Sequence, residues 1–270
     1  MSDRPSKAII VAAGMGRRLS PYTDEMPKCL VPVAERPMLL WQLDAFRAHG
    51  VTDFVVVRGY LGDVLERRAG ELGPGVRFVD NAAYKTNNIL HSLFCAEDEL
   101  EGAFLVTYGD IIYTPDVVDK LMADDSDIAL VIDRDFRDIY DGRTEHPLEE
   151  AEVADLTPDG LVRRVGKRAL PPADAWGEFI GLAKLSSAGA AAMSAAWRAL
   201  RVEYAGREGD PFQRAPAFRV AYLTDMLQHL IDDGHPVSPV AIRGHWREID
   251  TVQDLERARA LIRSAEEEWK

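Results

Sequence analysis

A chain of 270 residues, 47% of them apolar, can bury one large core, alone or with a small subdomain attached. Its 45 acidic residues outnumber 32 basic ones, and the resulting formal charge of -13 repels nucleic-acid phosphates and excludes that class of partner. With two cysteines, no metal spacing among the six histidines, no signal-peptide pattern and no apolar run near the ~18 to 20 residues of a membrane span, the expectation is a cytoplasmic protein with no membrane partner.

Along the chain, Ala8 to Ala13 reads as a short buried strand that stops at Gly14-x-Gly16. Residues 37-49 carry Leu39, Leu40, Leu43 and Phe46 at helical spacing and end at Gly50. Strands are expected at 53-57 and 103-108, and helices at 62-72 and 88-100. Thr114 and Pro115 open another helix, as N-cap and first helical residue, running to about Ala123. A strand over 128-132 follows, then the least regular stretch, 134-150, which reads as a lid or an insertion. Two period-two segments flank Pro158-Asp159-Gly160 as a hairpin, and Glu178 to Leu185 is a further strand. Amphipathic helices at 188-204 and 222-233, a strand at 237-242 and a last helix from Thr251, with Asp254 in capping-box position, complete the chain. Alternating strands and helices predict an α/β fold, a mixed but mainly parallel sheet flanked by helices.

Three segments carry chemistry. Glycines at 14 and 16 let the backbone turn sharply and bring bare N–H groups against a ligand, and Arg17, Arg18 and Lys28 concentrate positive charge in an acidic chain. That combination suits a polyphosphate. It is not a dinucleotide fingerprint, since the third glycine position holds Leu19, and the Gly-Lys-Ser/Thr of a P-loop is missing. Asp110 stands at the C-terminal edge of a predicted parallel strand, facing the crevice where such sheets bind ligands and where magnesium takes a carboxylate. Asp250 closes Trp246-Arg247-Glu248-Ile249-Asp250-Thr251 just before the last helix. The Asp133-Arg134-Asp135 triplet mimics a metal motif, but its acidic surroundings make such a triplet easy to produce by chance.

The run Ala12-Ala13-Gly14-x-Gly16-x-Arg18-Leu19-x-Pro21, followed by Pro27-Lys28-x-Leu30, resembles the N-terminal signature of nucleotidylyltransferases that make activated sugars and alcohols. Asn87-Asn88-Ile89, Tyr108-Gly109-Asp110-Ile111, Glu178-Phe179-Ile180-Gly181-Leu182 and Thr224-Asp225-Met226-Leu227 resemble the branch of phosphocholine and 2-aminoethylphosphonate cytidylyltransferases. The resemblance implies a Rossmann-like sheet of the nucleotide-diphospho-sugar transferase type with a small β-rich acceptor-binding insertion. It implies one domain over 1-270: a nucleotide-binding half to about 125, an acceptor-binding half over 126-250, and a C-terminal helix over 251-270.

As to roles, the resemblance implies Arg18 on the leaving pyrophosphate, Lys28 on the reacting phosphates, and Asp110 with Asp250 on a catalytic Mg2+. Ala12, Ala13, Gly14, Met15, Gly16, Arg17, Asn87, Asn88, Ser92 and Tyr108 are the expected nucleotide contacts, with Asn87 or Asn88 equally readable as a helix N-cap. Asp133, Tyr140, Trp176, Glu178 and Trp246 are the expected acceptor contacts, suited to an amine or quaternary ammonium by their carboxylates and aromatic faces. The expected partners are CTP and a small phosphorylated or phosphonate acceptor, with a homodimer as the possible assembly. A sugar-1-phosphate nucleotidylyltransferase and an inactive nucleotide-binding regulator are the competing readings.

Overall fold

The computed structural model describes residues 4-265 and 269. In chain order its elements are β1 (Lys7–Ala12), β2 (Pro32–Val33), β3 (Arg36–Pro37), α1 (Met38–Arg47), β4 (Asp53–Arg58), α2 (Gly62–Arg67), β5 (Val76–Asp80) and α3 (Ile89–Phe94). Next come β6 (Phe104–Tyr108), β7 (Ile111–Tyr113), α4 (Pro115–Ala123), β8 (Ile128–Asp133), α5 (Phe136–Tyr140), β9 (Glu152–Leu156) and β10 (Val162–Lys167). The chain continues through β11 (Gly177–Leu185), α6 (Ser187–Glu203), α7 (Leu223–Asp232), β12 (Ser238–Ile242), β13 (Trp246–Glu248) and α8 (Val252–Ser264).

The main sheet runs β5-β4-β1-β6-β11-β8-β12, with the β9–β10 hairpin attached to the first residues of β11. β1, β4, β5 and β6 pair in parallel, as do β8 and β12, and β11 is antiparallel to both β6 and β8. Alternation along β1 explains the two cores. Ile9 and Val11 point into one apolar layer with Leu93, Trp197 and Leu227; Ala8 and Ile10 point into the opposite layer with Leu39, Phe46 and Val118. A third cluster of Leu19, Val31, Trp41, Ile249, Leu255 and Ile262 seats α8 against the first loops. Among the described residues no helix is long and apolar enough to cross a membrane.

The expected elements appear with three differences. The helix expected over 88-100 ends at Phe94 and resumes as a 3-10 turn at Glu97–Glu99. Three consecutive acidic residues there would oppose the partial negative charge at a helix C-terminus. The helix expected over 62-72 likewise splits into α2 and a 3-10 turn at Ala69–Leu72. The expected lid, 134-150, contains α5 and is fastened to α8: Gln253 Oε1 accepts from Thr144 N at 2.8 Å, and Arg257 Nη2 donates to Asp141 O at 2.8 Å. The last helix begins as expected with a Thr251–Asp254 capping box and is helical to Ser264; residues 266-268 and 270 of that expected helix lie outside the described residues.

β11 bends where its register against β8 shifts between Phe179 and Ala183. Gly181 makes the bend possible, with φ +86°, and a Cβ there would stand 2.4 Å from the Tyr108 ring. Gly181→Ala should therefore destabilise the protein by about 2 kcal/mol or more, combining backbone strain with displacement of Tyr108. Urea unfolding checks this; an unchanged midpoint would mean that neither constraint operates.

Candidate active site

Local geometry at the ends of β1 and β6 brings charged residues together. Gly16 adopts φ 59°, and a Cβ at this position would crowd Lys28 Cβ at 3.0 Å. Thr23 Oγ1 donates to Gly16 O at 2.9 Å, and the fully buried Leu19 pins the turn while its neighbour Arg18 stays half exposed. Lys28 rides on the next 3-10 turn, anchored by buried Cys29 and Leu30. Gly109 lets β6 approach the end of β1, since a Cβ there would stand 2.7 Å from Ala12 Cβ. The following ribbon pairs β7 with β13 in antiparallel register, and Ile249 N donates to Asp110 O at 2.9 Å, which delivers Asp250 beside Asp110.

Lys28 Nζ then sits between the two carboxylates. It donates to Asp110 Oδ2 at 2.7 Å and to Asp250 Oδ1. Arg18 Nη2 donates to Asp250 Oδ2 at 2.5 Å, and His146 Nδ1 stands 3.1 Å from that oxygen. Burial works against the Lys28 ammonium, but the charges of Asp110 and Asp250 more than offset it and raise its pKa above the ordinary lysine value. Burial likewise opposes the Asp250 charge, yet Lys28, with His146 and Arg18, holds its carboxyl well below the usual range. The backbone behind it is fixed as well: Asp254 Oδ2 accepts from Thr251 N at 2.9 Å and Asp250 N at 3.1 Å. Arg143 clamps Asp254 at 2.7 Å and Glu248 at 2.8 Å. Burial pushes the Cys29 thiol up to about 12, so this cysteine is packing rather than a nucleophile.

Two cavities meet at this cluster. One, lined by Ala12, Ala13, Gly14, Asn87, Asn88, Ser92 and Tyr108, opens beside Lys28 and Asp110. These are seven of the ten expected nucleotide contacts. Met15 and Arg17 face a neighbouring depression with Lys85, and Gly16 shapes the loop without lining either. Asn88 is the N-cap of α3, accepting from Ile89 N at 2.9 Å. Asn87 instead joins a polar network in which the buried Asn81 Nδ2 donates to Asn87 Oδ1 at 2.9 Å and to Ser92 Oγ at 2.8 Å. Asn81 and Tyr84, another lining residue, carry no motif that would have marked them.

The second cavity is lined by Arg18, Asp110 and Asp250 at one end and by Glu150, Glu152, Lys167, Glu178, Tyr222, Trp246 and Glu248 beyond. Of the expected acceptor contacts, Glu178 and Trp246 line it. Tyr140 stands behind, its hydroxyl donating to Glu178 Oε1 at 2.7 Å. Asp133 does not reach the cavity. It is fully buried, accepting from Trp246 Nε1 at 2.8 Å and from the backbone of Asp135 and Gly244 at 3.0 Å each. Trp176 is also outside it, under the guanidinium of Arg134 at 4.2 Å. Glu152, Lys167 and Glu248 were not foreseen, because alternating strand residues look the same whether their open face meets solvent or a cleft.

A model of the MobA-like NTP transferase domain matches residues 8–269. The chain belongs to this family. It is 32% identical over 255 residues to the CTP:phosphoglutamine cytidylyltransferase of Campylobacter jejuni, covering 92% of this chain and 97% of that one. It is 33% identical over 166 residues to the 2-aminoethylphosphonate cytidylyltransferase of Lancefieldella rimae, covering 60% and 61%. The inositol-1-phosphate CTP transferase of T. maritima superposes with a TM-score of 0.77 at 20% identity, over 99% of this chain and 98% of that one. The expected sheet architecture is thus shared with solved nucleotidyltransferases.

In this transferase the acidic wall of the second cavity has unequal members. Burial pushes the Glu152 carboxyl up to about 7, while its Oε2 accepts from Tyr108 Oη at 3.1 Å. Burial and the neighbouring Glu248 charge also push Glu178 well above the usual range. A carboxyl whose pKa is higher folded than unfolded binds more protons in the native state, so it costs stability as pH rises through that interval. Relative to wild type, Glu152→Gln should gain stability from about pH 4.5 to about 7, by roughly 3 kcal/mol at most. Urea unfolding of both proteins across that range checks it, and parallel pH curves would show that Glu152 titrates normally.

Proposed function

We propose that the transferase is a Mg2+-dependent cytidylyltransferase of the cytoplasm, moving CMP from CTP to a phosphate or phosphonate oxygen of an amine-bearing acceptor. The carrying observation is Lys28 between Asp110 and Asp250 at the meeting point of the two cavities. In this reading the half up to about residue 125 serves the nucleotide, and the half over 126-250 serves the acceptor. The names of the Campylobacter and Lancefieldella relatives support CTP and acceptors of the amino-phosphate and amino-phosphonate class.

The donor set fits magnesium. Magnesium takes oxygen ligands, one or two of them carboxylates, beside phosphate oxygens. Asp110 Oδ1 is buried and has no hydrogen-bond partner among the described residues. His146, Glu248 and Asp250 form another group whose ligand atoms lie within 4.8 Å of one another, but imidazole suits transition metals better than magnesium. We therefore assign Asp110 and Asp250 as the ligands, with His146 supporting Asp250. When bound, the ion would withdraw charge from the α-phosphate.

The remaining roles belong to the chain's own residues. An acceptor phosphate oxygen attacks the α-phosphorus in line, the bond to the β-phosphate oxygen breaks, and its electron pair leaves on pyrophosphate. A phosphomonoester is mostly dianionic at pH 7, with a second pKa of ~6, so the attack needs no general base. Lys28 neutralises the approaching phosphates, Arg18 takes the charge of the leaving group, and both stand preorganised by Asp250.

Lys28→Ala should lower turnover by roughly 10²- to 10³-fold, measured as pyrophosphate release; near-normal turnover would remove Lys28 from the mechanism. Asp110→Ala should abolish activity together with its Mg2+ dependence, and retained activity would refute the metal assignment. The function itself is tested by crossing four nucleoside triphosphates with phosphoethanolamine, phosphocholine, 2-aminoethylphosphonate, phosphoglutamine and hexose 1-phosphates. Turnover with CTP and an amine-bearing acceptor is the expected result. Turnover with hexose 1-phosphates alone would overturn the acceptor class, and CTP binding without pyrophosphate release would leave a regulator.

A further inference from the structure

The lining of the second cavity suits two kinds of cation differently. A quaternary ammonium has no N–H to donate, and is recognised by open aromatic faces. The Tyr222 face in its lining, and those of Tyr140 and Trp176 behind and outside it, already carry cations of the protein itself. Lys167 Nζ lies 4.9 Å from the centre of the Tyr222 ring, Arg143 stands 4.9 Å over Tyr140, and Arg134 stands 4.2 Å over Trp176. Trp246 is 3% exposed, with its Nε1 committed to Asp133. Tyr108 and Phe179, which also line the cavity, are 9% and 2% exposed, so among the described residues no cage of open aromatic faces surrounds it.

Hydrogen-bond acceptors are distributed differently. Among the carboxylates of the wall, Glu150 is paired with Lys167 at 3.1 Å, Glu248 with Arg143 at 2.8 Å, and Glu152 takes the Tyr108 hydroxyl. Glu178 lines the same cavity with one oxygen, Oε1, on Tyr140, while its buried Oε2 has no hydrogen-bond partner among the described residues. A buried carboxyl oxygen left without a partner is costly; a cationic N–H donor entering beside it would favour the ionised form that burial and Glu248 oppose, and would satisfy that oxygen.

From this we infer that the acceptor carries an ammonium with at least one N–H, seated on Glu178 Oε2, and that Glu178 sets specificity for such amines over quaternary ones. The inference rests on the cytidylyltransferase reading above and narrows its acceptor. A site built to hydrogen-bond a substrate N–H rejects an analogue lacking it far more strongly than size alone would require.

The test is kcat/KM with CTP and Mg2+ for phosphoethanolamine and its N-methyl, N,N-dimethyl and N,N,N-trimethyl (phosphocholine) derivatives. The first three should stay within about tenfold of one another, and the loss of the last N–H should cost roughly 10²-fold or more. In Glu178→Gln the gap between phosphoethanolamine and phosphocholine should shrink, chiefly through a higher KM for phosphoethanolamine. Equal or faster turnover of phosphocholine by the wild type would overturn the inference and leave the cytidylyltransferase reading intact. So would a full gap retained in Glu178→Gln. If that variant fails to fold, the wild-type methyl series decides alone. Failure of all four esters, with hexose 1-phosphates turned over, would overturn the acceptor reading and this inference with it.

Discussion

One ammonium group organises this molecule. Lys28 binds two carboxylates that lie 82 and 222 residues away in sequence, and so joins the first loop, the end of β6 and the start of α8 at a single point. Two positive groups, Lys28 and Arg18, face two negative ones, Asp110 and Asp250, and the cluster is electrically balanced. Buried ion pairs seldom stabilise a fold over an apolar packing of the same volume, because desolvation consumes the Coulombic gain. Their value is positional. Charges already fixed in the folded state need not reorganise when phosphates arrive, which is where electrostatic catalysis draws its strength.

The scaffold around that point is arranged to keep it still. Gly109 allows β1 and β6 to end side by side, the β7–β13 ribbon carries Asp250 to Asp110, and the capping box of α8 holds Asp250 from behind. Arg143, in the stretch that reads from sequence as a lid, spends its guanidinium on Asp254 and Glu248. That stretch therefore braces the site rather than covering it. Its contribution was invisible in the sequence because both partners lie more than 100 residues downstream.

What could be read in advance followed local physics. The apolar runs of β1 and α1, the Thr114–Pro115 helix start and the Thr251–Asp254 capping box depend on neighbours within a few residues, and those elements appear within one or two positions of expectation. The short ribbons β2–β3 and β7–β13 escaped notice, since two or three residues carry no periodicity. Asp110 and Asp133 show the limit most clearly. Each stands at the C-terminal end of a buried strand, and each looks equally suited to a ligand. Asp110 keeps an oxygen without a hydrogen-bond partner among the described residues at the cavity junction, whereas Asp133 is consumed by Trp246 and two backbone amides, clamping the turn between β12 and β13. The difference lies in a tryptophan 113 residues away in sequence.

The distribution of charge within the cleft also explains how so acidic a chain handles anionic substrates. Arg18 and Lys28 stand at one end of the second cavity, balanced by Asp110 and Asp250; Glu150, Glu152, Glu178 and Glu248 stand at the other, with Lys167 among them. The first end offers a phosphate the cations Arg18 and Lys28, and the second offers an ammonium the carboxyl oxygens of Glu152 and Glu178. In the proposed reading, an acceptor carrying both groups would place its phosphate toward the α-phosphorus and its amine toward Glu178. Orientation of that kind supplies part of the advantage of holding two reactants in line. A sugar phosphate, with no cation at its far end, would bring its hydroxyls against the same glutamates without a compensating charge. Under the same proposal the acidic wall would be more than a binding surface: it would disfavour both the reversed pose and the competitor that lacks an N–H cation.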